Sequence, residues 1–512
     1  MVSTLRVLFS SGAKMPEVEF VGPSAQNQEN VQANTCRLVN LYRQPTSPGG
    51  RTGYTLESVP GTTSWLDLNR IFLRDMRQIG TNLWVLSGDQ LVRITPNKAA
   101  TSVGTVVSAA GGHLFGDEAQ VSAVQGGSLY VYDGTTTTQP TVTPFTNGVN
   151  SGDYLGGYTV VTEEGTNLAA WSDLGDATTF AGTDFAQVGA TEDALVRNIA
   201  INGKMWFFKE NSYEIWGLTG RANQFAFARI PGAVRNVGLK SKELVTTLRD
   251  YMMFVGSDGR AYITDGMNTQ RVSTSAVETA IAASTADRCF SFENRGASFF
   301  VIRFRDRPAY MLVMTQGPQS AEWSERASGA NLEPWGVVSA TKFNDTWLCG
   351  DESGKIYTLS QAYTDAGAPL VREATSSTLT NGGNRFRIKR AEIYGHVAPK
   401  DQSNIPGSDL RAAVIIDDVP DFIGDGPEEL DSDDLIVEMA NPYKRPSVDI
   451  AFSRDNGLTY GEWRTRSMGK LGEYENRVVL RSIGQFRQAT MKVRVADNAR
   501  LPLNSKMVLE II

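Results

Sequence analysis

The feature that most constrains this chain is an interval. Trp206, Met253, Phe300 and Trp347 stand 47 residues apart, three times in succession. Each lies in a short apolar run, followed by a polar turn and a second run: Tyr213 to Trp216, Tyr262-Ile263, Tyr310 to Leu312 and Ile356-Tyr357. Upstream, Trp84 and Tyr130 stand 46 apart and Tyr158 precedes Trp206 by 48. Only 28 residues separate Tyr130 from Tyr158, so the period fails there. A four-stranded propeller blade takes roughly 40–50 residues, and such units repeat because none can bury its apolar face alone. The spacing predicts a β-propeller of six or seven blades between about residues 65 and 365. The alternative is a set of β-sandwich domains whose strands fall at similar intervals.

Local pattern points the same way. Leu83-Trp84-Val85-Leu86 runs into Ser87-Gly88-Asp89, Leu129-Tyr130-Val131-Tyr132 into Asp133-Gly134, and Tyr251-Met252-Met253-Phe254-Val255 into Gly256-Ser257-Asp258-Gly259. Runs of four to six apolar residues closed by Gly, Asn, Asp and Ser are short strands joined by tight turns. Long helical periodicity is absent, so the fold class is all-β. Residues 1–64, rich in Asn, Gln, Pro and Gly over 15–60, read as an extended N-terminal arm. Residues 65–368 read as the propeller. Residues 369–512 read as a C-terminal β-rich, sandwich-like domain after a Ser/Thr/Gly/Asn stretch at 376–384.

Composition limits the chemistry. Two histidines in 512 residues, His113 and His396, leave few candidates for proton shuttling or metal ligation. The three cysteines, Cys36, Cys289 and Cys349, are far apart, which excludes a disulfide framework and speaks against zinc. With 49 Lys and Arg against 56 Asp and Glu, the net charge of −7 gives no general hold on nucleic acid. Met1 to Ser11 has no cleavable apolar region, and no stretch of 18 apolar residues exists, so neither a signal peptide nor a membrane helix is expected.

The sharpest local motif is Ser453-Arg454-Asp455-Asn456-Gly457-Leu458-Thr459-Tyr460, an Asp-box pattern. Its carboxylate is suited to accept hairpin N–H groups while Gly takes positive φ, a structural role. The carboxylate pairs Glu163-Glu164, Glu192-Asp193 and Asp351-Glu352 sit in turn-like contexts and read as turn residues rather than glycosidase pairs. The acidic run Asp417, Asp418, Asp421, Asp425, Glu428, Glu429, Asp431, Asp433 and Asp434 lacks the order of an EF-hand and reads as a solvated loop. No G-x-S-x-G elbow, phosphate loop or dinucleotide fingerprint is present. No catalytic, cofactor-binding or metal-binding residue is therefore assigned, and no cofactor is expected. Two basic alternations, Arg303, Arg305, Arg307 and Arg385, Arg387, Lys389, each put three cations on one strand face. Such a face either meets phosphate or an acidic partner, or guards an edge strand against aggregation.

Several segments together resemble a known family. Gln32-Ala33-Asn34-Thr35-Cys36-Arg37-Leu38-Val39-Asn40-Leu41-Tyr42 with Val59-Pro60-Gly61-Thr62 is similar to the opening of the packaged-DNA stabilisation, or tail nozzle, proteins of short-tailed phages. Lys209-Glu210-Asn211-Ser212-Tyr213-Glu214-Ile215-Trp216 resembles their S-x-E-x-W element. Phe452 to Tyr460, Leu471-Gly472-Glu473-Tyr474 with Arg477, and Arg481-Ser482-Ile483-Gly484 resemble their closing segment. The resemblance implies a virion structural protein, not an enzyme. It implies a homo-oligomeric, hexameric propeller ring, assembled in the host cytoplasm and placed in the tail below the portal and head-to-tail adaptor. Such a ring extends the DNA channel, retains packaged DNA and docks tail fibre, spike or needle/plug proteins. Genomic DNA passes its lumen without sequence-specific binding, and this chain inserts in no membrane. A different class also fits the Asp-box and aromatics: a carbohydrate-binding or glycosidase-type propeller, marked by Arg and Glu or Tyr converging at the propeller centre. On the nozzle reading, deleting residues 1–60 is expected to leave a folded propeller that no longer joins tails.

Overall fold

A computed structural model describes residues 17–19, 21, 36–46, 53–360, 362–395, 411–412, 439–440, 446–469, 476–498 and 502–511. His396, the acidic run at 417–434 and Leu471 to Tyr474 lie outside the described residues, as do residues 32–35 of the opening motif.

From Gly61 to Ser360 the chain folds into seven antiparallel units of four strands, the first five separate sheets and the sixth and seventh parts of larger ones. The first is Leu73–Ile79, Asn82–Ser87, Gln90–Ile94 and Ala100–Thr105. Five more follow in order, and the seventh is Val337–Phe343, Thr346–Asp351 and Lys355–Ser360. Its fourth strand, Gly61–Asp67, comes from the beginning of the domain and pairs antiparallel with Lys355–Ser360. Seven buried apolar clusters fill the seven gaps between successive sheets, and one of them sets Leu73 and Val85 of the first sheet against Val338 and Leu348 of the seventh. The architecture is a β-propeller with its first and last sheets in contact.

The sequence pattern follows from this stacking. A second strand is covered on both faces by neighbouring sheets, so it reads as an uninterrupted apolar run, as in Met252 to Val255, all fully buried. Trp206, Met253, Phe300 and Trp347 all lie in the second strands of the fourth to seventh sheets, which explains the 47-residue interval. The interval fails upstream for a structural reason. Trp84 lies in the second strand of its sheet, but Tyr130 lies in the third strand of the next, Ser128–Tyr132. That second sheet is also short, running only from His113 to Thr138. The 46-residue match of Trp84 to Tyr130 therefore joins non-equivalent strands.

The C-terminal part is a β-sandwich. One sheet orders Leu41–Pro45, Tyr54–Ser58, Leu503–Ile511, Phe386–Gly395 and Asn476–Phe486. The other contains Arg372–Thr375, Gln488–Val495, Ser447–Ser453 and Arg464–Ser467. Leu38, Leu56, Ile388, Ile393, Ile450, Met491, Val493 and Leu509 pack between them. Residues 37–58, read from sequence as part of an extended arm, supply strands to both sheets. Arg37–Val39 pairs antiparallel with Arg372–Thr375 and, through Val39 and Glu325, parallel with the outer strand of the sixth propeller sheet, Glu322–Ser328. One continuous sheet thus runs from propeller to sandwich.

Candidate functional site

Two places concentrate buried polar chemistry: the propeller axis and the seam between the domains. The first strand of each sheet faces the axis, and its side chains reach the next sheet. Asp75 accepts the Leu114 N–H (2.9 Å), His113 Nε2 accepts the Gly152 N–H (3.0 Å), and Asp153 accepts the Ala200 N–H (2.8 Å). Ser339 of the seventh sheet donates to Asp75 (3.0 Å) and accepts the Met76 N–H (3.2 Å) of the first. Burial, reinforced by the nearby Arg197 and Lys242 charges, holds His113 well below the usual imidazole range. It is therefore neutral and serves as a hydrogen-bond acceptor.

At one end of the axis the contacts skip neighbours. Glu243, just ahead of the fifth sheet, accepts the N–H of Gly112, just ahead of the second (3.3 Å). It also lies 3.9 Å from Arg197 of the fourth sheet and 3.7 Å from Arg288 of the sixth. Arg288 donates to the carbonyl of Arg74 in the first. In a ring of seven, a contact between second and fifth must cross the axis, while one between sixth and first skips only the seventh. A cavity of about 530 Å³ remains among Arg77, His113, Asp153, Thr246, Ser291 and Lys342. Arg and Glu side chains do converge here, but the Glu243 carboxylate is held by two guanidiniums and a backbone N–H.

The seam is built from the opening motif. Asn40, buried and at φ 57°, uses its whole amide: Nδ2 donates to Ala327 O (3.0 Å) and Val371 O (2.7 Å), while Oδ1 accepts from Arg326 Nη1 (3.1 Å) and Ala327 N–H (3.0 Å). Arg37 grips Glu325 with two parallel bonds, Nε to Oε1 at 2.8 Å and Nη2 to Oε2 at 2.6 Å. That carboxylate raises the guanidinium above its ordinary value. Arg43 pairs with Glu322 (3.1 Å) and Arg295 with Glu57 (3.2 Å). Burial would lift the Asp365 carboxyl, but Arg326 (3.1 Å), Thr62 (2.6 Å) and Ser328 (2.7 Å) together hold it below the usual range. Gly61 is required where it stands, since a Cβ there would lie 2.1 Å from the Ala362 carbonyl oxygen.

The other motifs find plain structural uses. In Ser212-x-Glu214-x-Trp216, Glu214 and Lys209 form a fully buried pair at 2.9 Å. Lys209 also donates to Thr191 O (2.8 Å), and Glu214 accepts from Ala190 N–H (2.8 Å) and Trp216 Nε1 (3.3 Å). In the Asp-box hairpin, Asp455 accepts from Ser453 Oγ (2.6 Å) and Thr459 N–H (2.9 Å), bonds that draw it down to about 2. Glu163 accepts the Asn147 N–H (2.7 Å) and Thr166 hydroxyl (3.1 Å), Asp193 the Asn211 N–H (2.8 Å), and Asp351 the Ser353 N–H (2.9 Å). These carboxylates organise turns.

The two basic alternations are not edge guards. Arg303 and Arg305 lie in Ala297–Phe304 and just beyond it, an inner strand paired on both sides. Buried Arg303 meets Asp287 (2.8 Å) and Glu352 (2.9 Å), and Arg305 meets the same two carboxylates at 2.9 and 3.4 Å. Phe386–Gly395 likewise lies between two strands, with Arg387 and Lys389 outward. Sequence reasoning missed Asn40, Glu243 and Asp365, whose partners are hundreds of residues away or on the far side of the ring. For Asn40 the available signal was its place within the quoted opening motif.

Residues 24–364 match the family model described as bacteriophage P22 Gp10, beta-propeller, and residues 430–508 the model described as bacteriophage P22 Gp10, beta-sandwich. No curated protein matches the chain. Similar solved structures include a streptogramin B lyase (10% identity, 58% of this chain and 95% of that one, TM-score 0.41). Others are BamB from Moraxella catarrhalis (10%, 64% and 98%, 0.35) and PorZ, a surface component of the type-IX secretion system of Porphyromonas gingivalis (12%, 59% and 38%, 0.37). Likenesses at this level carry no functional argument.

Proposed function

The chain belongs to the bacteriophage P22 Gp10 family of phage tail structural proteins, and from that premise we propose that it forms the tail nozzle, a hexameric ring beneath the portal and adaptor. In this reading the ring prolongs the DNA channel, helps retain packaged DNA, and carries fibre, spike or needle proteins. The observation that carries it is the crossed propeller axis. Glu243, Arg197, Arg288 and the Gly112 backbone meet across the centre, so DNA has no path through a single propeller. The conduit then has to be enclosed by several subunits, as a ring of heterologous contacts does. A net charge of −7 suits such a lumen, because strong phosphate attraction would slow departing DNA.

The protein's role is mechanical, without catalysis. A sugar-acting propeller would keep a carboxylate free beside its arginines, whereas Glu243 here is engaged on three sides. The Asp-box lies in the sandwich, away from that centre. The test is light-scattering mass of the purified protein alone and with adaptor-bearing heads. The expected result is a monomer that becomes about six copies on the adaptor, with heads lacking it leaking DNA. A protein that ignores the adaptor and binds or cleaves oligosaccharide would replace this reading with the sugar-acting one.

A further inference from the structure

The outward face of the sandwich sheet carries a cluster of cations with few counter-charges: Glu510 lies near Lys389, and Glu392 is already held by Arg390 and Arg477. Phe386 and Ile388 point into the core, so Arg385, Arg387 and Lys389 are exposed. The neighbouring strand places Arg481 and Arg487 outward beside them, with Phe386 opposite Phe486, Arg387 opposite Gln485 and Arg390 opposite Arg481. Arg454, from the Asp-box hairpin, lies over the core-facing Phe486 ring at 5.4 Å, at the edge of the sandwich rather than on this face. Among the described residues, Arg385, Arg387, Arg481 and Arg487 have no carboxylate within ion-pairing distance, and Lys389 has only Glu510 at 3.9 Å. Like charges facing one another across a strand pair are unfavourable. A chain with net charge −7 has carboxylates to spare, yet puts almost none here.

The missing carboxylates stand in one segment. Residues 413–438 contain ten Asp and Glu and no Lys or Arg. They are inserted between the strand ending at Gly395, which carries Arg387 and Lys389, and the strand beginning at Ser447, which leads to Arg454. Arg411–Ala412 pairs with Met439–Ala440, so the two ends of the segment are held together. Reach is sufficient. From Gly395 back to Arg387 is about 26 Å along the strand at ~3.3 Å per residue, and residues 396–412 span up to about 56 Å when extended. Tethering at such range gives an effective concentration of the order of millimolar.

We propose that the cation face formed by Arg385, Arg387, Lys389, Arg481 and Arg487 is the docking surface for the acidic segment 413–438 of the same chain. The segment neutralises the face and withholds it from other polyanions, including the phosphates of DNA. This inference does not depend on the nozzle reading.

The test uses the full-length wild-type protein and zero-length carbodiimide coupling, with linked peptides read by mass spectrometry. Lys389 is the amine of the face, and it should couple to carboxylates within 413–438. In an equal mixture of ¹⁵N-labelled and unlabelled protein, the linked pairs should carry matching labels. Anisotropy with a fluorescent duplex DNA gives a second reading. The variant Glu428→Gln, Glu429→Gln, Asp431→Asn, Asp433→Asn, Asp434→Asn should bind at least tenfold tighter than wild type, and adding Arg481→Glu and Arg487→Glu should cancel the gain. Coupling of Lys389 to Glu510 alone, mixed-label links that assign the segment to a neighbouring copy, or wild-type DNA binding equal to that of the neutralised variant would each overturn the proposal.

Discussion

Glu214 shows how one residue can hold a motif in place without any chemistry of its own. Its carboxylate and the Lys209 ammonium are both fully buried, and each has further hydrogen bonds. Removing one partner of such a pair strands the other, at a cost of about 3–5 kcal/mol, whereas replacing both by apolar groups of similar volume is often close to neutral. Glu214→Ala should therefore unfold the propeller at markedly lower denaturant, and Lys209→Met with Glu214→Leu should recover most of the loss in equilibrium unfolding. Asp365 adds a pH dependence. Its folded-state value lies below that of a free carboxylate, so its stabilisation is complete above about pH 4 and is lost as pH falls through the folded value. Thermal melts from pH 5 down to 2 should show a steeper acid loss in wild type than in Asp365→Asn. A smaller effect is expected at Asp455, which is more exposed and whose bonds are local.

At the scale of elements, the second strands were legible because both of their faces are covered. Trp206, Met253, Phe300 and Trp347 repeat since each lies in a second strand covered on both faces, although Trp206 and Met253 pack toward the following sheet and Phe300 toward the preceding one. What sequence could not show is pairing over long separations. Gly61–Asp67 is an ordinary strand by pattern, and nothing in it says that its partner is Lys355–Ser360. Arg37–Val39 is three residues long, and its place between Glu322–Ser328 and Arg372–Thr375 appears only in three dimensions. Glu243 was hidden for the same reason, since its partner Gly112 lies across the ring. These pairings sharpen the expected effect of truncation. Deleting residues 1–35 removes the strand Glu17–Glu19, which pairs with Leu503–Ile511, and the buried Val21, so it should lower the melting of the sandwich while leaving the strands from Arg37 onward in place. Deleting 1–60 retains the closing strand of the propeller but takes away the strands over 37–58 that complete the sandwich. Limited proteolysis should then cut within 369–512 while the fragment from 61 to 360 persists. Loss of the propeller fragment at the same protease concentration would contradict this account.

For the whole molecule, the consequence of a sheet that passes from propeller to sandwich is mechanical unity. On the nozzle reading proposed above, a ring component under load needs its two halves to move as one, and Asn40 is one of the points where they are joined. Its side chain satisfies Ala327 N–H, Ala327 O and Val371 O at once, and its backbone N–H donates to Glu325 O (2.8 Å) while its carbonyl accepts from Val59 N–H (3.1 Å). Alanine there would leave several buried groups unpaired, each costing about 1–3 kcal/mol, and would place a Cβ-bearing residue at φ 57° without the local hydrogen bonding that lets Asn adopt it. Asn40→Gly separates the two effects, because it relieves the backbone and keeps only the loss of the amide. If the seam is what couples the domains, calorimetry of the wild type should show one transition, and both Asn40 variants should split it, the sandwich melting first. Arg37→Ala and Glu325→Ala, which remove the two-bond ion pair across the seam, should act in the same direction and less than additively in a double-mutant cycle. A single transition in all four variants would mean that propeller and sandwich are held together elsewhere, and the proposed transmission of load through Arg37–Val39 would fall.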